Sequence, residues 1–138
     1  MLQRMQTIWL LLAAVCGFLT FRFSFFSGNK AADQGKTFQY LTASSGMILM
    51  VLTVAIICVV CISIFLYKNR KLQMRLVLVA LFASLINIYL YFNETKNFVE
   101  GSYNLSAVIT IAIPVLLFLA LRGIYKDQKL VKSADRLR

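Results

Sequence analysis

The sequence predicts an all-α, polytopic membrane fold of four helices, and three observations carry that prediction. Of 138 residues, 60% are hydrophobic and 14% charged, with a mean hydropathy of +0.77, far more apolar than a water-soluble domain of this size. The apolar residues gather into four runs, each near the roughly 17 to 25 residues that cross hydrocarbon as a helix. The charge is lopsided as well: 15 Lys and Arg stand against 5 Asp and Glu, with no His, for a net charge of +10.

The first run, about 7–26, follows Met1 to Gln6, whose Arg4 makes it look like a short positive n-region. No A-x-A cleavage site follows it. In the stretch Leu12-Ala13-Ala14-Val15-Cys16-Gly17 bulky Val15 stands where a lipoprotein cleavage box needs a small residue. An uncleaved first helix is therefore expected. The second run, about 47–67, contains the β-branched stretch Thr53 to Ile64, read as helix because an open backbone cannot survive in lipid; no sheet is expected. The third and fourth runs, about 76–92 and 105–121, are short, but Arg75 and Arg122 at their ends can snorkel. Pro114 frees the carbonyl of Thr110, so a kink is expected in the fourth helix. The tail, 122–138, places Leu130, Ala134 and Leu137 at helical spacing among basic residues and reads as a short basic amphipathic helix. The whole chain forms one membrane domain.

Orientation follows from the basic residues. Eleven fall on one side: Arg4, then Lys68, Arg70, Lys71 and Arg75 of the middle loop, then Arg122, Lys126, Lys129, Lys132, Arg136 and Arg138 of the tail. Only four, Arg22, Lys30, Lys36 and Lys96, fall on the other. The positive-inside rule places both termini and the middle loop in the cytoplasm. Trp9, Tyr67 and Tyr125 mark the inner interface, and Phe25, Phe26, Tyr40, Tyr89, Tyr91 and Tyr103 the outer one.

The chemistry-bearing residues are sparse. Cys16, Cys58 and Cys61 read as small buried hydrophobes; Cys58-Val59-Val60-Cys61 has the spacing of a dithiol motif, but it lies within the second helix among Ile56, Ile57, Ile62 and Ile64, with no His or carboxylate near it in sequence to activate or coordinate. Arg22 either snorkels to headgroups or pairs with Glu94 or Glu100. Ser84 and Asn87 form a polar edge that should face protein and join helices. No run carries an Asp, Glu, Lys or His at its middle, which weighs against proton or ion coupling. In size the chain matches the small multidrug exporters, but their first-helix carboxylate has no counterpart between Thr7 and Phe26. Nor does the sequence hold a P-loop, a nucleophile elbow, a His-containing metal motif or paired catalytic carboxylates. No catalytic residue, metal or cofactor is expected.

The two ends of the chain are the most distinctive parts. The opening Met1-Leu2-Gln3-Arg4-Met5-Gln6-Thr7-Ile8-Trp9-Leu10-Leu11-Leu12-Ala13-Ala14 and the stretch from Ile124 to the closing Lys129-Leu130-Val131-Lys132-Ser133-Ala134-Asp135-Arg136-Leu137-Arg138 resemble the DUF4293 family. These are small four-helix integral membrane proteins from Bacteroidota, and the resemblance covers the full length. It implies a bacterial inner-membrane location and carries over no activity and no site residues.

The expected role is that of a non-enzymatic accessory or interaction subunit of a larger membrane complex. Its docking surface is Lys68, Arg70, Lys71, Arg75, Lys126, Lys129, Lys132, Arg136 and Arg138. That surface suits anionic lipid headgroups first, then a membrane-protein partner or a second copy, and least a ribosome or other RNA; DNA is not expected. The first alternative is a small homodimeric transporter or channel, with Ser84, Asn87 and Pro114 along its path. The second is a membrane thiol oxidoreductase acting through Cys58 and Cys61.

Overall fold

The computed structural model describes residues 2–30, 38–67 and 69–135, the side chains of 2–4, 30, 134 and 135 excepted. In chain order it contains α1 (Leu2–Arg22), β1 (Phe26–Lys30), β2 (Phe38–Leu41), α2 (Met47–Phe65), α3 (Arg70–Thr95), β3 (Phe98–Tyr103) and α4 (Ala107–Asp135). All four helices are long and apolar enough to cross a membrane. Each packs on two others, α1 on α2 and α4, and α3 on α2 and α4, so the contacts close a ring.

Every helix buries a narrow seam whose members recur mostly three and four residues apart. On α3 the seam is Gln73, Val77, Ala80, Ser84, Asn87 and Tyr91; on α2 it is Leu49, Thr53, Ile56, Ile57, Val60 and Ser63. This is the periodicity of helices packed nearly in line. The polarity is inverted relative to a soluble bundle. Gln6, Thr20, Thr53, Ser63, Gln73, Ser84, Asn87 and Thr110 are buried, whereas Ile8, Phe18, Ile48, Phe65, Val79, Phe82, Ile86 and Phe118 face outward at 50% exposure or more. In water such an exterior would aggregate; against acyl chains it costs nothing.

Three expectations are corrected. The chain is not all-helical: β1, β2 and β3 form an antiparallel sheet in the order β2-β1-β3. Phe26 stands opposite both Leu41 and Tyr103, and Gly28 opposite Gly101. The ban on open backbone holds only within hydrocarbon, and these strands lie in the connections between spans, where it has no force. The first helix accordingly ends at Arg22, because Phe25 donates its backbone N–H to the carbonyl of Leu41 at 2.7 Å and starts the sheet. Finally, the basic tail is no separate helix: α4 continues through Pro114 and beyond Arg122 to Asp135. Pro114 removes one backbone donor, and the flanking helical bonds carry the chain past it. Leu137, Arg136, Arg138 and Lys68 lie outside the described residues.

The sheet is fastened to the helix ends by aromatic packing. Phe25 and Phe26 are buried with Leu41, Ala43, Leu49, Tyr91 and Ala107. The ring of Phe25 stacks on Tyr91 at 4.9 Å and meets Phe92 and Tyr103 edge-on at 5.6 and 5.9 Å. Phe26 meets Tyr103 and Phe98 at 5.1 and 5.2 Å. Phe25, Phe26 and Tyr91 are thus core residues of the cap and not members of an interfacial belt, which corrects the aromatic assignment. Tyr40, Tyr89 and Tyr103 are exposed, as that assignment requires.

The strands approach closely where they carry glycine. A Cβ on Gly28 would overlap the carbonyl oxygen of Glu100, and one on Gly101 would stand 2.5 Å from the Ser27 carbonyl. The cross-strand glycine pair is therefore a steric requirement of the β1–β3 pairing.

Candidate functional site

Three places in the fold combine polar chemistry with defined geometry. The first lies inside the helices near the sheet. Thr53 bonds back to the carbonyl of Leu49 at 2.7 Å and accepts the amide N–H of Asn87 at 3.1 Å, which ties α2 to α3. Tyr91, one turn along α3 from Asn87, directs its hydroxyl at those of Thr20 and Thr53 without closing a bond of normal geometry. The Asn87 Oδ1 and Tyr91 Oη atoms are both buried without a partner.

Asn87 and Ser84 therefore face protein, as the sequence requires, but by different means. Only Asn87 reaches another helix; Ser84 donates to the carbonyl of Leu81 within its own helix. Sequence reading missed Thr53 and Tyr91. For Tyr91 the signal was available, because it stands at three-and-four spacing with Ala80, Ser84 and Asn87, the pattern that marks the protein-facing side of a membrane helix; Thr53 has only Leu49, Met50, Ile56 and Ile57 at that spacing and gives none.

The second place is an open cleft of about 1020 Å³ at the sheet end, lined by Arg22, Ser24, Tyr40, Thr42, Asn104 and Ser106 among others. Arg22 is exposed at the last turn of α1, where its charge complements the helix C-terminus. It makes no ion pair with Glu94 or Glu100; Glu94 accepts instead from the Asn97 amide at 3.0 Å. Asn104 holds the cleft floor together. Its amide donates to the Ser24 hydroxyl, its carbonyl accepts from Ser27 at 3.1 Å, and Ser106 donates to the Ser24 carbonyl.

The third place is the opposite end of the helices, where the basic residues gather. Arg70 pairs with Asp127 at 3.2 Å and donates to the Asp127 backbone carbonyl at 3.3 Å, joining the start of α3 to the late turns of α4. Among the described residues this is the ion pair the fold contains. Gln6 donates to the Gly123 carbonyl at 2.9 Å, and Gln73 to the Ser63 carbonyl at 3.1 Å, so α1–α4 and α2–α3 are tied at the same level. Of the expected docking residues, Arg70 is therefore engaged within the fold. Lys71, Arg75, Lys126, Lys129 and Lys132 are exposed, as is Arg122.

The cysteines do not assemble a site. Cys58 faces outward on α2 and Cys61 is half-buried, which corrects the expectation that all three are buried; Cys16 is half-buried on α1. No group of three or more His, Cys, Asp or Glu side chains that could hold a metal occurs among the described residues.

A polar seam inside, an apolar exterior and four helices long and apolar enough to cross a membrane give the chain the character of a helical membrane protein. The chain belongs to the DUF4293 family, a domain of unknown function whose model matches residues 2–137. Neither a curated protein nor a solved structure matches it.

Proposed function

We propose that the chain is a non-enzymatic accessory subunit of the bacterial inner membrane, a four-helix bundle with both ends on the cytoplasmic side and the sheet outside. Its role on this reading is to dock a larger membrane complex through the basic end of α4. The positive-inside distribution of Lys and Arg supports the orientation.

The continuity of α4 is the observation that carries the docking role. Its 29 residues extend about 43 Å at 1.5 Å per residue, against about 30 Å of hydrocarbon. The last turns therefore reach past the hydrocarbon, with Lys126, Lys129 and Lys132 exposed and the base held by Arg70–Asp127. A separate amphipathic helix would lie flat among headgroups. A rigid extension instead presents its charges to the acidic face of a protein.

Affinity purification of the tagged chain in mild detergent, with mass spectrometry of what stays bound, tests this reading. A stoichiometric partner that is lost on Lys129→Glu with Lys132→Glu is the expected result; recovery of a free monomer or homodimer from gently extracted membranes overturns it. Transport is the second reading, favoured by the unpartnered Asn87 Oδ1 and Tyr91 Oη inside the helices. It requires a flux that Asn87→Ala abolishes.

A further inference from the structure

Between α3 and α4, at the basic end, lies an apolar groove of about 310 Å³ lined by Leu78, Phe118, Leu121, Arg75, Arg122 and Tyr125 among others. Its arrangement follows from the antiparallel course of the two helices. On α3, Leu78 lies one turn further into the span than Arg75; on α4, which runs the other way, Phe118 lies one turn further in than Arg122. Both cations thus stand at one level with apolar carbon beneath them. The groove surface is apolar, so Arg75 and Arg122 contribute to its lining through their aliphatic stems. Among the described residues neither arginine forms an ion pair, in contrast to Arg70. Tyr125, exposed one turn beyond Arg122, adds an amphipathic ring at the same rim.

We infer that this groove is a binding site for one anionic phospholipid of the adjoining leaflet, with the phosphate between Arg75 and Arg122 and an acyl chain along Leu78, Phe118 and Leu121. Charge complementarity selects the occupant. Two unpaired guanidinium groups offer planar, bidentate donors to a phosphate, and the apolar wall below them selects a lipid over a free anion. A groove of this volume accommodates part of one chain and no bulky headgroup. The inference rests on the membrane-spanning reading above but not on the partner reading, since α3 and α4 form the site alone.

The test uses the full-length chain purified in detergent, titrated with phosphatidylglycerol or phosphatidylcholine, with bound lipid counted by native mass spectrometry. The wild-type chain should retain one phosphatidylglycerol. Arg75→Gln with Arg122→Gln should weaken it about 30-fold, the equivalent of about 1 kcal/mol for each basic group. Lys129→Gln with Lys132→Gln removes the same charge elsewhere and should leave the count unchanged. Leu78→Trp, which fills the groove and keeps both cations, should also reduce binding. Equal losses in the two charge variants, full retention in Leu78→Trp, or competition by inorganic phosphate at concentrations equal to those of the lipid would overturn the proposal. Flotation of the chain with vesicles separates these outcomes from failure of the membrane reading, and partner capture by the Lys129 and Lys132 variants, which leave the groove intact, reads the docking proposal on its own.

Discussion

Replacing Asn87 and Thr53, singly and together, measures the bond that joins α2 to α3. The Nδ2–Oγ1 distance of 3.1 Å lies within the range of a normal N–H···O bond, and both residues are 2% exposed. Buried side-chain bonds between membrane helices average about 0.6 kcal/mol and reach about 1.7. A cycle of Asn87→Leu and Thr53→Val, which keeps the volumes nearly constant, should therefore give a coupling energy of about 0.6 kcal/mol. The single Asn87→Leu variant should lose less than that coupling, because it also removes the Oδ1 atom that has no partner. Asn87→Ala should lose on the order of 1 kcal/mol more, from about 24 cal/mol per Å³ of the void an absent amide leaves. Reversible unfolding in mixed micelles with increasing dodecyl sulfate, followed by far-ultraviolet circular dichroism, reads all four variants. Single losses that simply add, with no coupling on repeated measurement, would refute the argument that Asn87 holds the helices together.

Three further outcomes follow from the geometry. Gly28→Ala should break the β1–β3 pairing, since the added carbon meets backbone at Glu100, whereas Gly46→Ala meets only Leu49 Cδ1 at 3.5 Å and should be near neutral; hydrogen exchange across residues 98–103 checks this, and unchanged protection in Gly28→Ala contradicts it. Asp127→Asn should cost no more than about 1 kcal/mol, because the pair is partly solvated with side-chain exposures of 30% and 13%, and the wild-type advantage should shrink as salt rises; melting curves in low and high sodium chloride measure it. Phe25→Ala should cost about 3 to 5 kcal/mol, as Phe25 is 2% exposed and packed on three rings, whereas Phe118→Ala, at 57% exposure toward detergent, should shift stability by no more than about 0.5 kcal/mol; a comparison of the two melting temperatures decides it.

The four spans were legible because their signal is local. A run such as Met47–Phe65 is apolar on every side, and length with hydropathy suffices to identify it. The same uniformity hid the packing: when both faces are apolar, hydrophobic periodicity cannot say which one faces protein. Asn87 and Ser84 showed the seam of α3, because a polar group deep in a span has to face inward, but the seam extends through Gln73, Val77, Ala80 and Tyr91. The sheet was missed because Phe26–Lys30, Phe38–Leu41 and Phe98–Tyr103 are short, and β3 finds β1 only across the length of two helices. Two glycines facing each other at positions 28 and 101 were its clearest trace, yet nothing local says that they are neighbours.

The sequence by itself determined the number of helices long and apolar enough to span, the end at which the basic residues gather and the inward turn of Ser84 and Asn87. Each of these depends on the free energy of one segment in hydrocarbon or water, which composition carries. Only the tertiary structure decided that Asn87 meets Thr53, that Arg70 is engaged by Asp127 while Arg75 and Arg122 face a common groove, and that Phe25 packs on Tyr91 under a sheet. Those pairings join residues far apart in the chain, and no property of a single segment contains the distance between two.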